Sequence, residues 1–474
     1  MQDATKFYID GQWVTPLSSE RMEVINPATE GVIAKIALGN EDDINRAVAA
    51  AKRAFETYSQ TSLDDRLALL EKLLLIYKRR YDEVAATITA ELGAPITMSR
   101  EQQADVGVSH LEDFITALKK LKTRDTLYNG ETLLREPIGV CGLITPWNWP
   151  INQIVLKVIP ALATGCTCVL KPSEFTPLNA ILYAEMIDEA GFPAGTFNLV
   201  NGAGPVAGSA MSKHPDIAMM SFTGSTRAGK AITRDAAENV KRVTLELGGK
   251  SPNIVFDDVD IKDRITYSVL DVFNNSGQTC DAPTRMLVQK SIYGDAVAMA
   301  KQVGDTARVG DPTLEGDHIG PLVSHIQFDR VQSLIKAGID EGATLLVGGT
   351  GKPDGINEGY FTKPTIFADV SPDMRIAREE IFGPVICMIP FETEEDAIAM
   401  ANDTPYGLAA YIQTQDDAKA ERVASKLRAG MIRINGAFPR PGSPFGGYKQ
   451  SGNGREGGLF GLEDFMEIKM IHRP

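Results

Sequence analysis

The chain has 474 residues, 43% hydrophobic, 7% aromatic and 23% charged, a composition that sets aside disordered, collagen-like and disulfide-scaffold classes. Asp and Glu number 62 against 48 Lys and Arg, a net charge of −14, which argues against nucleic acid or an anionic membrane as a partner, since both demand clustered cations. A phosphate-bearing ligand would have to be met by backbone N–H groups and one or two lysines.

The length predicts roughly two to four structural units. The five cysteines, Cys141, Cys166, Cys168, Cys280 and Cys387, are odd in number, sparse, and without a CxxC pair. They predict no disulfide framework, no zinc site and a reducing, cytoplasmic setting. The five histidines, His110, His214, His318, His325 and His472, form neither a hydrolase triad nor a metal motif, so no metal is expected. The first 13 residues carry Asp3, Lys6 and Asp10 and lack the apolar core of a signal peptide. Residues 137–156 are free of Asp, Glu, Lys and Arg and are long enough to cross a bilayer. Pro137, Pro146, Pro150, Asn148, Asn152 and Gln153 would leave polar groups unpaired in lipid, so a buried soluble segment is expected instead.

In chain order, 7–14 reads as a strand and Asn26-Pro27 as a turn. Residues 41–58 are Ala-rich and helical. Across 64–91, Leu67, Leu70, Leu74 and Tyr77 recur at spacings of three and four, predicting one helix stopped by Gly93 and Pro95. From 139 to 258 apolar runs at 166–170, 197–200, 217–222 and 243–246 alternate with helical patterns at 178–190, 205–213 and 226–238. That alternation predicts a parallel sheet with helices on both faces. A second alternating segment, 253–435, predicts a second α/β unit. The Gly- and Pro-dense stretch 436–458 is too long for a turn and reads as a functional loop.

Several fragments bear chemistry, each with a plainer reading beside it. Cys280 ends Asn275-Ser276-Gly277-Gln278-Thr279-Cys280; a cysteine in a glycine-containing turn is a nucleophile or a small buried hydrophobe, and the other four read as packing. Glu246 lies between Leu245 and Leu247 and before Gly248, Gly249 and Lys250. It is either paired with Lys250 or a general base whose proton affinity is raised by burial. Asn148, in a proline-bounded loop, is an amide donor for a developing oxyanion or part of a packed Trp-rich loop. Gly202, Gly204 and Gly208 follow a strand without the regular GxGxxG spacing. Phe222, Gly224 and Ser225 lie between a strand and a helix, where N–H groups suit a pyrophosphate. Lys171 and Glu174, after another strand, suit ribose hydroxyls.

Seven stretches in order carry more than any fragment: PWNWP at 146–150, KPSE at 171–174, FTGST at 222–226, ELGGK at 246–250, GQTC at 277–280, EEIFGPV at 379–385 and PFGGYKQSGNGRE at 444–456. Together the chain resembles the aldehyde dehydrogenase superfamily over essentially its whole length. The resemblance implies an α/β fold with a Rossmann-like cofactor domain at 1–113 and 136–248 and a second α/β catalytic domain at 249–448. A small β oligomerisation arm with the C-terminal segment would occupy 114–135 and 449–474, building a homodimer or homotetramer.

It also implies oxidation of an aldehyde to a carboxylic acid with NAD(P)+, through a thiohemiacetal and a thioester. Carried over by position, Cys280 is the nucleophile, Asn148 and the Cys280 backbone N–H the oxyanion hole, and Glu246 the base that activates water. Lys157 and Glu456 relay its proton. Lys171 and Glu174 match adenosine-ribose contacts, Ser225 the pyrophosphate contact, and Glu380 with Phe382 the nicotinamide-ribose contacts. Ile144, Pro146, Trp147, Gly204, Gly208, Phe222, Gly224 and Leu247 match lining positions. Glu174 favours NAD, since a carboxylate repels a 2′-phosphate, while Lys171 leaves NADP open. Trp149, Phe438 and Phe445 predict an aromatic substrate tunnel, and Asp281 would disfavour an anionic substrate. Two alternatives stand beside this reading: a CoA-acylating enzyme, which has no use for Glu246, and a catalytically silent binding protein on the same fold.

Overall fold

The computed structural model describes residues 2–473. Its first sheet has eight strands, in the order Gly452–Asn453, Arg242–Glu246, Met219–Thr223, Val140–Ile144, Thr167–Lys171, Phe197–Leu199, Phe7–Ile9 and Gln12–Val14. The five from Arg242–Glu246 to Phe197–Leu199 are parallel. Val140–Ile144, Thr167–Lys171 and Met219–Thr223 are buried at every position, which explains their continuous apolar runs in place of alternation. From Val140–Ile144 the chain builds outward to Phe197–Leu199, then returns to the other side with Met219–Thr223. The crevice at the carboxyl ends of Val140–Ile144 and Met219–Thr223 is therefore a topological switch point, where open α/β sheets bind ligands. The loops holding Asn148 and Ser225 emerge there.

Residues 247–251 connect Arg242–Glu246 to Pro252–Val255 of a second sheet. Its seven strands run Thr344–Val347, Thr365–Ala368, Val385–Phe391, Arg285–Gln289, Pro252–Val255, Ala409–Gln413 and Met431–Ile434. All neighbours are parallel except the first pair. The carboxyl edge of the first sheet thus faces the amino edge of the second, and Cys280 lies on the segment entering Arg285–Gln289. Gln2–Ala4, Val32–Ala37 and Arg21–Ile25 form a small separate sheet.

Several expected boundaries move. The strand at 7–14 is a hairpin, turned by Asp10 and Gly11 at φ 56° and 72°, the two-residue turn an Asp-Gly pair favours. The helix expected over 64–91 is two, Leu63–Arg79 and Tyr81–Leu92. The break falls at Arg80, whose guanidinium is 2.7 Å from both Glu83 and Glu185. The uncharged run 137–156 divides between Val140–Ile144 and the buried helix Pro150–Thr164, and among the described residues no helix is long and apolar enough to cross a membrane. Residue 114, where the arm is expected to begin, lies within helix Asp105–Lys120. Phe114 and Leu118 are fully buried on helix Asp105–Lys120, within the same hydrophobic core as Val155 and Leu170. Within 449–474, Gly452–Asn453 joins the first sheet. The three-stranded antiparallel sheet consists of Arg124–Thr126, Thr132–Pro137 and Met466–Ile471.

Candidate active site

Helix Ile261–Phe273 ends above a tight turn in which Asn275, Ser276 and Gly277 all have positive φ, at 50°, 56° and 70°. Left-handed backbone at two non-glycine residues costs about 1–3 kcal/mol each, so the turn must be held by its surroundings. A Cβ on Gly277 would lie 2.1 Å from the carbonyl of Gly383, so only glycine lets the two chains meet. The Asn275 amide donates to the carbonyls of Asn148 and Gln278, at 2.9 and 3.2 Å, and the Ser276 hydroxyl donates to the Gly320 carbonyl. The Val323 N–H donates to the Gln278 side chain at 3.0 Å. Cys280 follows this braced segment, and Trp149 donates to the Thr279 hydroxyl beside it.

Asn148 sits at the same turn. Its side-chain amide donates to the Gln278 carbonyl at 3.0 Å, while its backbone carbonyl accepts from Gln103 and Asn275. One amide N–H thereby fixes the group and the second stays available. Glu246 closes strand Arg242–Glu246, paired in register with Gly452. It is 4% exposed, and neither carboxylate oxygen has a hydrogen-bond partner. Burial, then the nearby Glu456 charge, push its carboxyl well above the usual range. The pairing with Lys250 is not made: the Lys250 amine is buried without a hydrogen-bond partner. Burial also pushes the Cys280 thiol up, with the charges of Asp281, Glu380 and Glu246 adding to the effect and its own backbone N–H opposing it.

Lys157, on helix Pro150–Thr164, lies 2.5 Å from Glu456 and 3.3 Å from the Ser221 hydroxyl. Glu456 is held by reciprocal backbone hydrogen bonds with Phe445, both 2.8 Å. Cys280, Glu246, Asn148, Pro146, Trp147, Gly224, Ser225, Leu247, Glu380 and Phe382 line one cavity of about 170 Å3. Glu380 accepts from the Gly249 N–H at 3.0 Å. A Cβ on Gly248 would meet the Glu380 carboxylate at 2.3 Å, so a side chain there would push that carboxylate aside. Trp147 and Phe382 meet edge to face, centroids 5.3 Å apart.

Groups of the kind that meet hydroxyls and phosphates lie at this cavity and along the sheet edge beyond it. The Thr223 hydroxyl is buried at its wall without a partner. Exposed Ser225 caps the start of helix Thr226–Ala237, whose free N–H groups suit phosphate oxygens. Farther along the sheet edge, buried Lys171 donates to the carbonyls of Pro172 and Gly202, both at 2.8 Å, and stands 3.6 Å from Glu174. Ile144 packs near Gly208, and Gly204 is exposed beside them.

Some expected residues lie elsewhere. Phe222 is 6% exposed and packs beneath the cavity, under Gly224. Phe438 stands out in solvent at 75% exposure. Asp281 offers no free negative charge to a substrate, since Arg433 lies 2.6 Å from its carboxylate. Thr223, Gly248, Gln327 and Arg330 also line the cavity, and the sequence did not single them out. Gln327 donates to the carbonyls of Ile381 and Phe382, and Arg330 to that of Glu380. Both stand on helix His325–Asp340, which carries no motif; only their spacing of one helical turn hinted at a shared face.

The family model described as "Aldehyde dehydrogenase family" matches residues 13–471. A 3-succinoylsemialdehyde-pyridine dehydrogenase from a Pseudomonas species is 50% identical over 474 residues, covering 99% of each chain. An aldehyde dehydrogenase from Bartonella henselae is 52% identical, with TM-score 0.98 and 99% of each chain covered. Aldehyde dehydrogenase C of Pseudomonas syringae, solved as a Cys-to-Ala mutant with NAD+ and octanal, is 49% identical with TM-score 0.97, covering 99% of this chain and 96% of that one.

Proposed function

The chain belongs to the aldehyde dehydrogenase family, and from that premise we infer how its own side chains carry the NAD(P)-dependent oxidation of an aldehyde to a carboxylic acid. Cys280, as thiolate, forms a bond to the aldehyde carbon, and the carbonyl electron pair moves onto oxygen. That oxyanion is met by the free Asn148 amide N–H and the Cys280 backbone N–H. NAD(P)+, which Ser225 and the start of helix Thr226–Ala237, Lys171, Glu174 and Glu380 would hold, would supply the hydride acceptor for this carbon, and loss of the hydride leaves a thioester on Cys280. Glu246 removes a proton from water as it attacks the thioester carbon. The carboxylic acid departs and the Cys280 thiolate is restored. Lys157 and Glu456 pass the proton onward.

One observation carries this reading: nucleophile, oxyanion donor and an unpartnered buried carboxylate line one cavity. The test is aldehyde-dependent NADH formation without CoA, with the acid identified as product. Cys280→Ala is expected to lower turnover by about 10⁴-fold or more. Unchanged turnover in that variant, or a product that is acyl-CoA and needs CoA, would overturn it.

Glu174 supports NAD over NADP, to be checked by the ratio of kcat/KM for the two. Trp149 and Phe445 support an uncharged apolar aldehyde, as does the octanal bound by the Pseudomonas syringae relative; an aldehyde panel measures that preference. The outer strands of the antiparallel arm leave open edges, and Ile468 is 66% exposed there. Such edges support a homodimer or homotetramer, against which a monomer in sedimentation would count. The free cysteines support a cytoplasmic location.

A further inference from the structure

Asp281, directly after the nucleophile, is surrounded by groups that the reaction above does not use. It is 6% exposed, its Oδ2 is 2.6 Å from Arg433 Nη2, and its backbone carbonyl accepts from the Tyr411 hydroxyl at 3.1 Å. Tyr411 and Arg433 are register partners on the parallel strands Ala409–Gln413 and Met431–Ile434. Their side chains therefore leave the same face of the sheet, and the guanidinium lies 5.4 Å from the Tyr411 ring centre. Helix Ile261–Phe273 brings two more groups to this cluster. These are Asp271, with its Oδ2 unpartnered, and Tyr267, with its hydroxyl unpartnered. Burial and the neighbouring Asp281 charge push the Asp271 carboxyl up to about 6. Beyond burial, the charges of Asp281, Glu380 and Glu246 each add to the raised proton affinity of the Cys280 thiol.

An unpaired carboxylate one residue from the sulfur would oppose the thiolate, and a buried charge stripped of its partner is costly in itself. We propose that Arg433 is a positioning residue for the nucleophile: paired with Asp281, it anchors the chain after Cys280 and offsets part of the negative charge that holds the proton on sulfur. In the step it assists, the Cys280 S–H bond breaks, the electron pair stays on sulfur and the proton passes to water. The inference rests on Cys280 being the nucleophile.

The test is the pH profile of alkylation by iodoacetamide on the full-length protein, read by mass on the Cys280 peptide. Arg433→Gln is expected to move the midpoint upward by about one pH unit, slowing alkylation about tenfold below it. Arg433→Lys keeps the wild-type midpoint. Asp281→Asn, which leaves the cation without its acid, moves the midpoint downward. The double variant Asp281→Asn/Arg433→Gln returns close to wild type, a rescue that a merely structural role for Arg433 would not give. An Arg433→Gln profile overlying the wild type, or a double variant that stays with the single one, overturns the proposal. Should Arg433→Gln not fold, Asp281→Asn and Arg433→Lys decide: a downward shift in the first with an unmoved midpoint in the second supports it, and an unmoved Asp281→Asn midpoint overturns it. Persistent turnover in Cys280→Ala would fail the underlying nucleophile assignment separately.

Discussion

Glu91 and Glu246 are both carboxylates removed from water, and they show how the same burial serves two ends. Glu91, on helix Tyr81–Leu92, is fully buried and accepts from the backbone N–H groups of Leu178 and Asn179 and from the Asn179 amide, at 2.7, 3.0 and 2.5 Å. It satisfies the open start of helix Leu178–Ala190. Burial still wins over those donors and raises its carboxyl to about 7. Glu246 has no donors, and Glu456 adds a like charge, so it rises well above the usual range. Donors make a buried acid structural. Without them its proton affinity is left for chemistry.

Glu246→Gln should separate the two most sharply. Steady-state turnover is expected to fall roughly 10²–10⁴-fold, with a burst of one NADH per site as thioester accumulates in stopped flow. Glu91→Gln should leave turnover near wild type, and equal losses in both variants would break the distinction. The next effect is on stability. The folded Glu91 carboxyl, at about 7 against an ordinary 4.5, keeps its proton where the unfolded chain has released it. Its contribution is therefore present in full below about pH 4.5 and is lost as pH rises through 7. Urea unfolding should show wild type losing roughly 2–3 kcal/mol relative to Glu91→Gln between about pH 5 and 8. The smallest effect concerns the relay. Lys157→Met, which strips Glu456 of its cation, should lower kcat roughly tenfold and move its rise with pH upward, because Lys157 opposes the raised affinity of Glu246. A pH profile of kcat checks this.

Where the fold was legible, a local rule marked it. The helix read at 41–58 is Glu41–Tyr58, opened by an Asn40 capping box, and the strand ending at Glu246 is Arg242–Glu246. The break at Arg80 was hidden because no glycine or proline marks it; Arg80 pairs there with Glu83 of the next helix and Glu185 of a distant one. The layer that Phe114 enters was not legible, because an apolar residue reports burial without saying against what.

Of the site, the sequence by itself determined the residue types and their order: a cysteine after a glycine turn, an acid before two glycines, an asparagine between prolines, a serine opening a helix. Those are local facts of turn and cap chemistry. Only the tertiary structure decided which of them meet. It faced the carboxyl edge of one sheet toward the amino edge of the other, left Glu246 without its neighbour Lys250, brought Lys157 to Glu456 and Arg433 to Asp281, and turned Phe438 into solvent. Burial, pairing and proton affinity depend on what lies across the cleft, and no sequence spacing encodes that distance.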